Sequence, residues 1–281
     1  VDHASNPLAR AEFPLSNRYD QAWVMAHQMG PNALWLAEWL CAAMRLEPGM
    51  RVLDLGCGSC LTSIFLAREL DVRVWAADLW VDPSANWARV RAMGVEDRVT
   101  PLQVEAHALP FAEGFFDAVV SVDAYHYFGT DDLYLGYLTR FVRTDGQLGV
   151  VVPGLARPLP PTGPPPHLTE PQTNGTPFWE DECASFHTAT WWRDLWAAAN
   201  RVTVETADTM ERGWELWRDF ELALEAAGAN AFPSVAEALE RDAGQYLTFV
   251  RLVARRTDRA GLNLYQPGLV HLLEGGPAEG A

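Results

Sequence analysis

Asp54, Gly56, Cys57, Gly58, Ser59 and Cys60 stand between a run of β-formers, "RVLDL", and an apolar helical stretch, "LTSIFLAREL". Small residues at a strand-to-helix junction let the backbone turn sharply and bring its amides close to a ligand. About twenty residues after Gly58, Asp78 ends a second β-run, where a carboxylate can accept both hydroxyls of a ribose. Glu105 ends a third run just before "AHALPF", within reach of an adenine amino group. A fourth run, "FDAVVSV", is followed by Asp123, Ala124, Tyr125, His126 and Tyr127. In open α/β sheets ligands lie beyond the carboxyl ends of the strands, so these residues face the reacting group. His126 is the first candidate general base, because its unperturbed pKa lies near neutrality.

The elements that must position these groups alternate. After a helical stretch at 31–46, strand and helix patterns succeed one another, and strands rich in Val and Leu on both faces argue a parallel sheet covered by helices. Nearly half of the chain's 19 prolines fall within 153–177, which reads as a long loop. Beyond it, "TATWWRDLWAAAN" predicts a helix capped by Thr188 or Thr190, followed by a strand, two helices and a last strand, "QYLTFVRLVARR". The expected organisation is an N-terminal helical lid at 1–48, a main domain at 49–256 and a loosely ordered tail at 257–281. Within the main domain, 178–245 is an aromatic-rich segment on the substrate side.

With 281 residues and 49% apolar content, the chain has ample material for a core. A formal net charge of −16 repels phosphate backbones and anionic lipid surfaces, so neither nucleic acid nor membrane is an expected partner. All 21 basic residues are Arg, which excludes Schiff-base chemistry and lysine-dependent phosphate loops. Arg-rich, Lys-free usage suggests a high-GC bacterial source. No leader or long apolar segment is evident, and four cysteines give no disulfide framework, so a cytoplasmic protein is expected.

A glycine turn with a ribose acid suits either NAD or S-adenosylmethionine. The third glycine of G-x-G-x-x-G is missing, no Arg lies between Val52 and Ala67, and Asp54 precedes the turn. A diphosphate disfavours that setting, whereas an ammonium or a sulfonium suits it. Cys57 and Cys60 form a C-x-x-C, but both fall at loop positions and read as buried small thiols rather than a redox or zinc pair.

Over 34–154, and more loosely to Arg256, the chain resembles the class I S-adenosylmethionine-dependent methyltransferases of small molecules. "VLDLGCGSC" is similar to that family's D-x-G-x-G-x-G element, with Cys60 where the last glycine is usual; "AADLW" resembles its ribose-binding strand end. "VEAHALPFAEGFFDAVVSVDAYHYF" is similar to its third and fourth strand motifs. The resemblance implies a Rossmann-like, mostly parallel seven-stranded sheet with helices on both faces and an antiparallel last strand. It implies S-adenosyl-L-methionine as cofactor, held by Asp54, Gly56, Cys57, Gly58, Asp78, Leu79, Glu105, Ala106 and Asp123, with Tyr19 as a lid contact. "SVDAYHYFG" also resembles the cyclopropane fatty acid synthases, but His126 and Tyr127 replace their Glu and His, which argues against cyclopropanation.

For the acceptor, His126, Tyr127 and His187 are the candidate catalytic residues, while Tyr125, Trp179, Trp191 and Trp214 are the candidate substrate contacts. The expected activity is methyl transfer to O, N or C of a small molecule, in bacterial secondary metabolism. A non-methylating enzyme of the same fold, and less strongly an NAD-dependent oxidoreductase, are the alternatives.

Overall fold

Valine, leucine and alanine fill both faces of the central strands, and the sheet they form is covered on both sides. The computed structural model describes residues 8–258. Its strands are β1 (Arg51–Leu55), β2 (Arg73–Asp78), β3 (Val99–Gln103), β4 (Phe116–Val122), β5 (Val142–Leu155), β6 (Val202–Thr209) and β7 (Leu247–Arg256). They lie in the order β3-β2-β1-β4-β5-β7-β6. The first five pair in parallel, and β7 runs antiparallel to both β5 and β6. The expected Rossmann-like sheet is therefore present, with its reversed last strand inserted between β5 and β6.

The helices are α1 (Gln21–His27), α2 (Ala33–Cys41), α3 (Leu61–Leu70), α4 (Pro83–Ala92), α5 (Tyr134–Leu138), α6 (Pro166–Thr169), α7 (Ala189–Ala198), α8 (Gly213–Ala227) and α9 (Ala236–Asp242). One buried cluster joins the sheet to α2, α3, α8 and α9; a second, on the opposite face, joins it to α5 and α7. Side-chain caps start several of these helices. Asp20 accepts from Trp23 N–H, Asn32 from Leu34 and Trp35, and Thr188 from Trp191. Each such cap contributes about 1 kcal/mol by satisfying an orphan amide.

Three boundaries differ from the sequence expectation. Helix α2 stops at Cys41 because the chain tightens, with Met44 N–H bonding Cys41 O, and Arg45 N–H then donates to Gln147 Oε1 at 2.7 Å. Strand β5 extends through Pro153. A proline is tolerated there because pairing with β4 ends at Val151, so no partner strand needs its amide on that side. The remainder of the proline-rich stretch is a packed strap rather than a bare loop. Leu168 is fully buried, and His167 Nε2 lies 2.9 Å from Asp242 Oδ1. The other oxygen of Asp242 accepts from Tyr246 and Leu247 N–H. Nearly all of the tail expected at 257–281 lies outside the described residues.

Candidate active site

The turn between β1 and α3 is built as its residue types suggested. Gly56 and Gly58 have φ of +76° and +50°, a region that side chains rarely adopt. A Cβ on Gly56 would lie 2.3 Å from the Ala124 Cβ, so this glycine also brings the loops after β1 and β4 into contact. Cys60 holds the same left-handed conformation at φ 63° as the N-cap of α3. This explains why glycine is usual there, and the cysteine bears a backbone strain of roughly 1–2 kcal/mol. Its Sγ is 3.8 Å from that of Cys57, and both thiols are free and buried.

Asp78 ties this turn to β2. Its Oδ2 accepts from Gly58 N–H at 2.8 Å, and its Oδ1 accepts from Trp80 and Val81 N–H at 2.8 and 3.0 Å. Beside it, Leu79 and Trp80 are 48% and 72% exposed, an unusual state for large apolar side chains and one that suits a flat ligand ring. Glu105 turns back on its own loop. Its two oxygens take His107 N–H and Nδ1 at 2.9 and 2.8 Å. Ala106 lies beside it, its carbonyl accepting from Tyr134 Oη at 3.0 Å.

Asp54 is fully buried in β1. Ser63 Oγ donates to its Oδ2 at 2.5 Å, while Oδ1 has no partner among the described residues. Burial pushes its pKa up to about 7, against the lowering effect of the Ser63 bond. An acceptor without a donor at this depth suits a cationic or protonated ligand group. The orphaned oxygen and the glycine cradle fit the S-adenosylmethionine expected from the sequence.

Beyond the ends of β4 and β5 lies a cavity of about 320 Å³, bordered by Asp123, His126, Tyr127 and Pro153. It lies on the β4–β5 side of the switch point, where β1 and β4 meet and the strand order reverses, and none of its lining residues belongs to the glycine turn. Asp123 adopts a left-handed φ of 56°, pinned by its N–H to Val151 O at 2.8 Å. Burial raises its carboxyl to about 8. His126 is 2% exposed, its Nδ1 has no partner among the described residues, and burial lowers its pKa to about 4. It is a neutral imidazole at physiological pH. Tyr127 stands at the rim, 54% exposed and 6.5 Å from Trp80 between ring centres; partial burial, then the Asp123 and Glu182 charges, raises its phenol.

This geometry corrects several of the assignments expected from the sequence. Tyr125 is fully buried against Tyr134, Trp192 and Trp196 in the core on the opposite face, so it does not meet substrate. His187 stacks on Trp191 with 3.5 Å between ring centres, and neither residue borders the cavity. Trp179 packs edge-on against Phe186, and Trp214 lies under Arg218 and against Gly244; both are outside the cavity lining. Tyr19 is buried against Phe65 and bonds Glu69 Oε1 at 3.2 Å, at the last turn of α3.

Other residues, among them aromatic groups of the 178–245 segment expected on the substrate side, complete the site. Met29 and Gly30 approach the glycine turn and Asp123, and Phe178, Phe186, Trp217 and Glu221 form a wall. Glu221 had a legible signal: it interrupts the apolar stripe of Trp217, Phe220 and Leu224 on α8.

Residues 52–146 match a family model described as a methyltransferase domain. This segment is therefore similar to a methyltransferase domain, and its glycine turn and the Rossmann-like sheet around it agree with the resemblance read from the sequence. The chain is 29% identical to methyltransferase GfsG of Streptomyces halstedii over 52% of its own length and 54% of that protein. It thus spans about half the length of this relative, and less of others. In three dimensions it resembles the geranyl diphosphate C-methyltransferase of Streptomyces coelicolor A3(2), with a TM-score of 0.59 at 16% identity over 90% and 91% of the two chains. It also resembles the [4+2]-cyclase SpnF, with a TM-score of 0.58 at 18% identity over 79% and 80%. These two likenesses concern the fold.

Proposed function

We propose that the chain transfers a methyl group from S-adenosylmethionine to a small-molecule acceptor held in the cavity beyond β4. One observation carries this reading: Asp78 holds the glycine turn at the switch point of the sheet, and Met29, Gly30 and the loop after β4 link that turn to the cavity. Asp54, Gly56, Cys57, Gly58, Asp78, Leu79, Glu105 and Ala106 would hold the cofactor. When bound, the cofactor supplies a methyl carbon activated by a sulfonium.

The chain's own residues then have three tasks. The cavity orients the acceptor so that its nucleophilic atom faces the methyl carbon in line. His126, neutral and with a free Nδ1, takes the proton from an O–H or N–H acceptor. The lid expected at 1–48, through Met29 and Gly30, covers the junction of the glycine turn and Asp123 and keeps water out. We place the protein in a bacterial cytoplasm and in secondary metabolism, a reading supported by the Streptomyces relative and the Lys-free composition. Among the described residues, no helix is long and apolar enough to cross a membrane.

The test is a thermal melt with S-adenosylhomocysteine and with NAD, followed by transfer of labelled methyl to a panel of extracts. S-adenosylhomocysteine should raise the melting temperature by mass action while NAD does not. A larger shift with NAD overturns the cofactor assignment. Cofactor binding with product formed but no label transferred points to the non-methylating alternative.

A further inference from the structure

The cavity wall is chemically one-sided. Its charged members are Asp123, Glu180, Glu182 and Glu221, with no arginine among its lining residues. Glu180 and Glu182 are exposed at the mouth, whereas Glu221 is only 8% exposed at depth. A second feature points to a ligand. The His126 ring, 2% exposed, borders the same space with its Nδ1 buried and unpartnered among the described residues. One continuous part of the wall is aromatic: His126 meets Phe186 at 5.8 Å, Phe186 meets Phe178 at 6.3 Å, and Phe178 meets Trp217 at 5.9 Å between ring centres.

We infer that the methyl acceptor is an amphiphilic amine whose cationic head faces Asp123 and Glu221 while its apolar body lies along the Phe178, Phe186 and Trp217 rings. This assignment rests on the transferase reading and names its substrate class. Desolvated carboxylates gain most from a cation that arrives with its own hydrogen bonds, and aromatic faces add a cation–π attraction. Burial also holds Asp123 and Glu221 at about 8 and 7, so near neutrality Asp123 is largely and Glu221 about half protonated until a positive group restores the charge. An anionic acceptor finds no such partner. With four acidic side chains and a neutral histidine around it, a phosphorylated substrate has no counter-charge in the cavity. Bound as an ammonium, the amine passes one proton to the Asp123 or Glu221 carboxylate before it attacks. The nitrogen then forms its bond to the methyl carbon as the carbon–sulfur bond breaks, with that bond's electron pair passing to sulfur, and the product leaves as the methylammonium.

Calorimetry at neutral pH on the full chain, with and without S-adenosylhomocysteine, tests this with matched probes: 2-phenylethylamine, 2-phenylethanol and 3-phenylpropanoate. A further arm uses geranylamine against geranyl diphosphate with magnesium. Each amine should bind at least tenfold more tightly than its neutral or anionic partner. Glu221→Gln and Asp123→Asn should cut amine affinity about tenfold and leave the alcohol unchanged. Equal affinities, tighter binding of the acid or the diphosphate, or no amine binding overturns the inference, and the probe series on the unmutated protein decides it even where a variant fails to fold. S-adenosylhomocysteine binding separates the two readings. If it binds and no amine preference is seen, only the substrate class falls; if amines are preferred and it does not bind, only the transferase reading falls.

Discussion

Asp78 spends both carboxylate oxygens on the chain itself, three amides in all, and of its roughly four acceptor sites one is left for a ligand hydroxyl. Its removal therefore acts twice, by freeing the Gly58 turn and by leaving a ribose hydroxyl unpaired. Asp78→Ala should weaken S-adenosylhomocysteine binding by about 1–3 kcal/mol, roughly tenfold to a hundredfold. Calorimetry on the folded variant checks it, and an unchanged affinity removes Asp78 from the cofactor site. His126 acts on the barrier and not on cofactor binding. His126→Ala should lower single-turnover methylation by about 10²–10⁴ with cofactor affinity nearly constant. Since burial lowers its pKa to about 4, the acid limb of turnover due to His126 lies near pH 4 and not near the 6.5 of a free histidine. Near-equal rates for variant and wild type reduce His126 to a wall of the cavity.

At the scale of elements, what was legible in the sequence is what the backbone decides locally. The glycine turn, Asp54 and Asp78 near the ends of β1 and β2, and Asp123 and His126 after β4 follow from strand-to-helix chemistry, whereas Tyr125 turns into the core of the opposite face. The aromatic residues were not legible in the same way. Trp191, Trp192 and Trp196 share α7 with an ordinary helical stripe, and only tertiary packing turns that helix to the face opposite the cavity. Phe178, Phe186 and Trp217 reach the cavity from a strap, a short turn and α8, elements whose meeting no local pattern encodes. The lid contact was misplaced for the same reason: the N-terminal segment does touch the site, but through Met29 and Gly30 after α1, while Tyr19 ahead of it packs on α3. Two substitutions separate these contacts. A Cβ at Gly30 would fall 2.5 Å from Asp123 Oδ2, so Gly30→Ala must displace that carboxylate and should reduce turnover by tenfold or more. Tyr19→Phe loses only the Glu69 bond and should leave turnover and S-adenosylhomocysteine affinity within about twofold, at a stability cost of about 1 kcal/mol. Steady-state kinetics on both variants reads the difference; a Tyr19→Phe effect as large as that of Gly30→Ala reinstates the tyrosine as a cofactor contact.

For the whole molecule, the buried carboxyls make stability depend on pH in a direction that the net charge alone does not assign to particular residues. Asp54, Asp123 and Glu221 titrate at about 7, 8 and 7 in the folded chain, because burial disfavours their charged forms. In the unfolded chain such groups titrate near 4. Between those values the folded state binds more protons than the unfolded state, so stability falls as pH rises through that window. His126 and His187 act in the opposite sense. Their folded values of about 4 lie below the usual 6.5, so their contribution rises with pH between those limits and is complete above them. From pH 6.5 to 8 the carboxyls therefore act without opposition from these histidines, and the melting temperature of the ligand-free protein should decline across that interval. General repulsion in a chain of formal charge −16 favours the same sign, so the profile alone does not isolate the three sites. Isosteric variants do: Asp54→Asn, Asp123→Asn and Glu221→Gln each remove one titration and should flatten the slope between pH 6.5 and 8, with Asp54→Asn also weakening cofactor binding. An exposed control, Glu113→Gln, should leave the slope as it is, because its carboxylate sits at the surface beside Arg140. Melts of the four variants with slopes identical to wild type assign the pH dependence to overall charge and remove these carboxyls as its source.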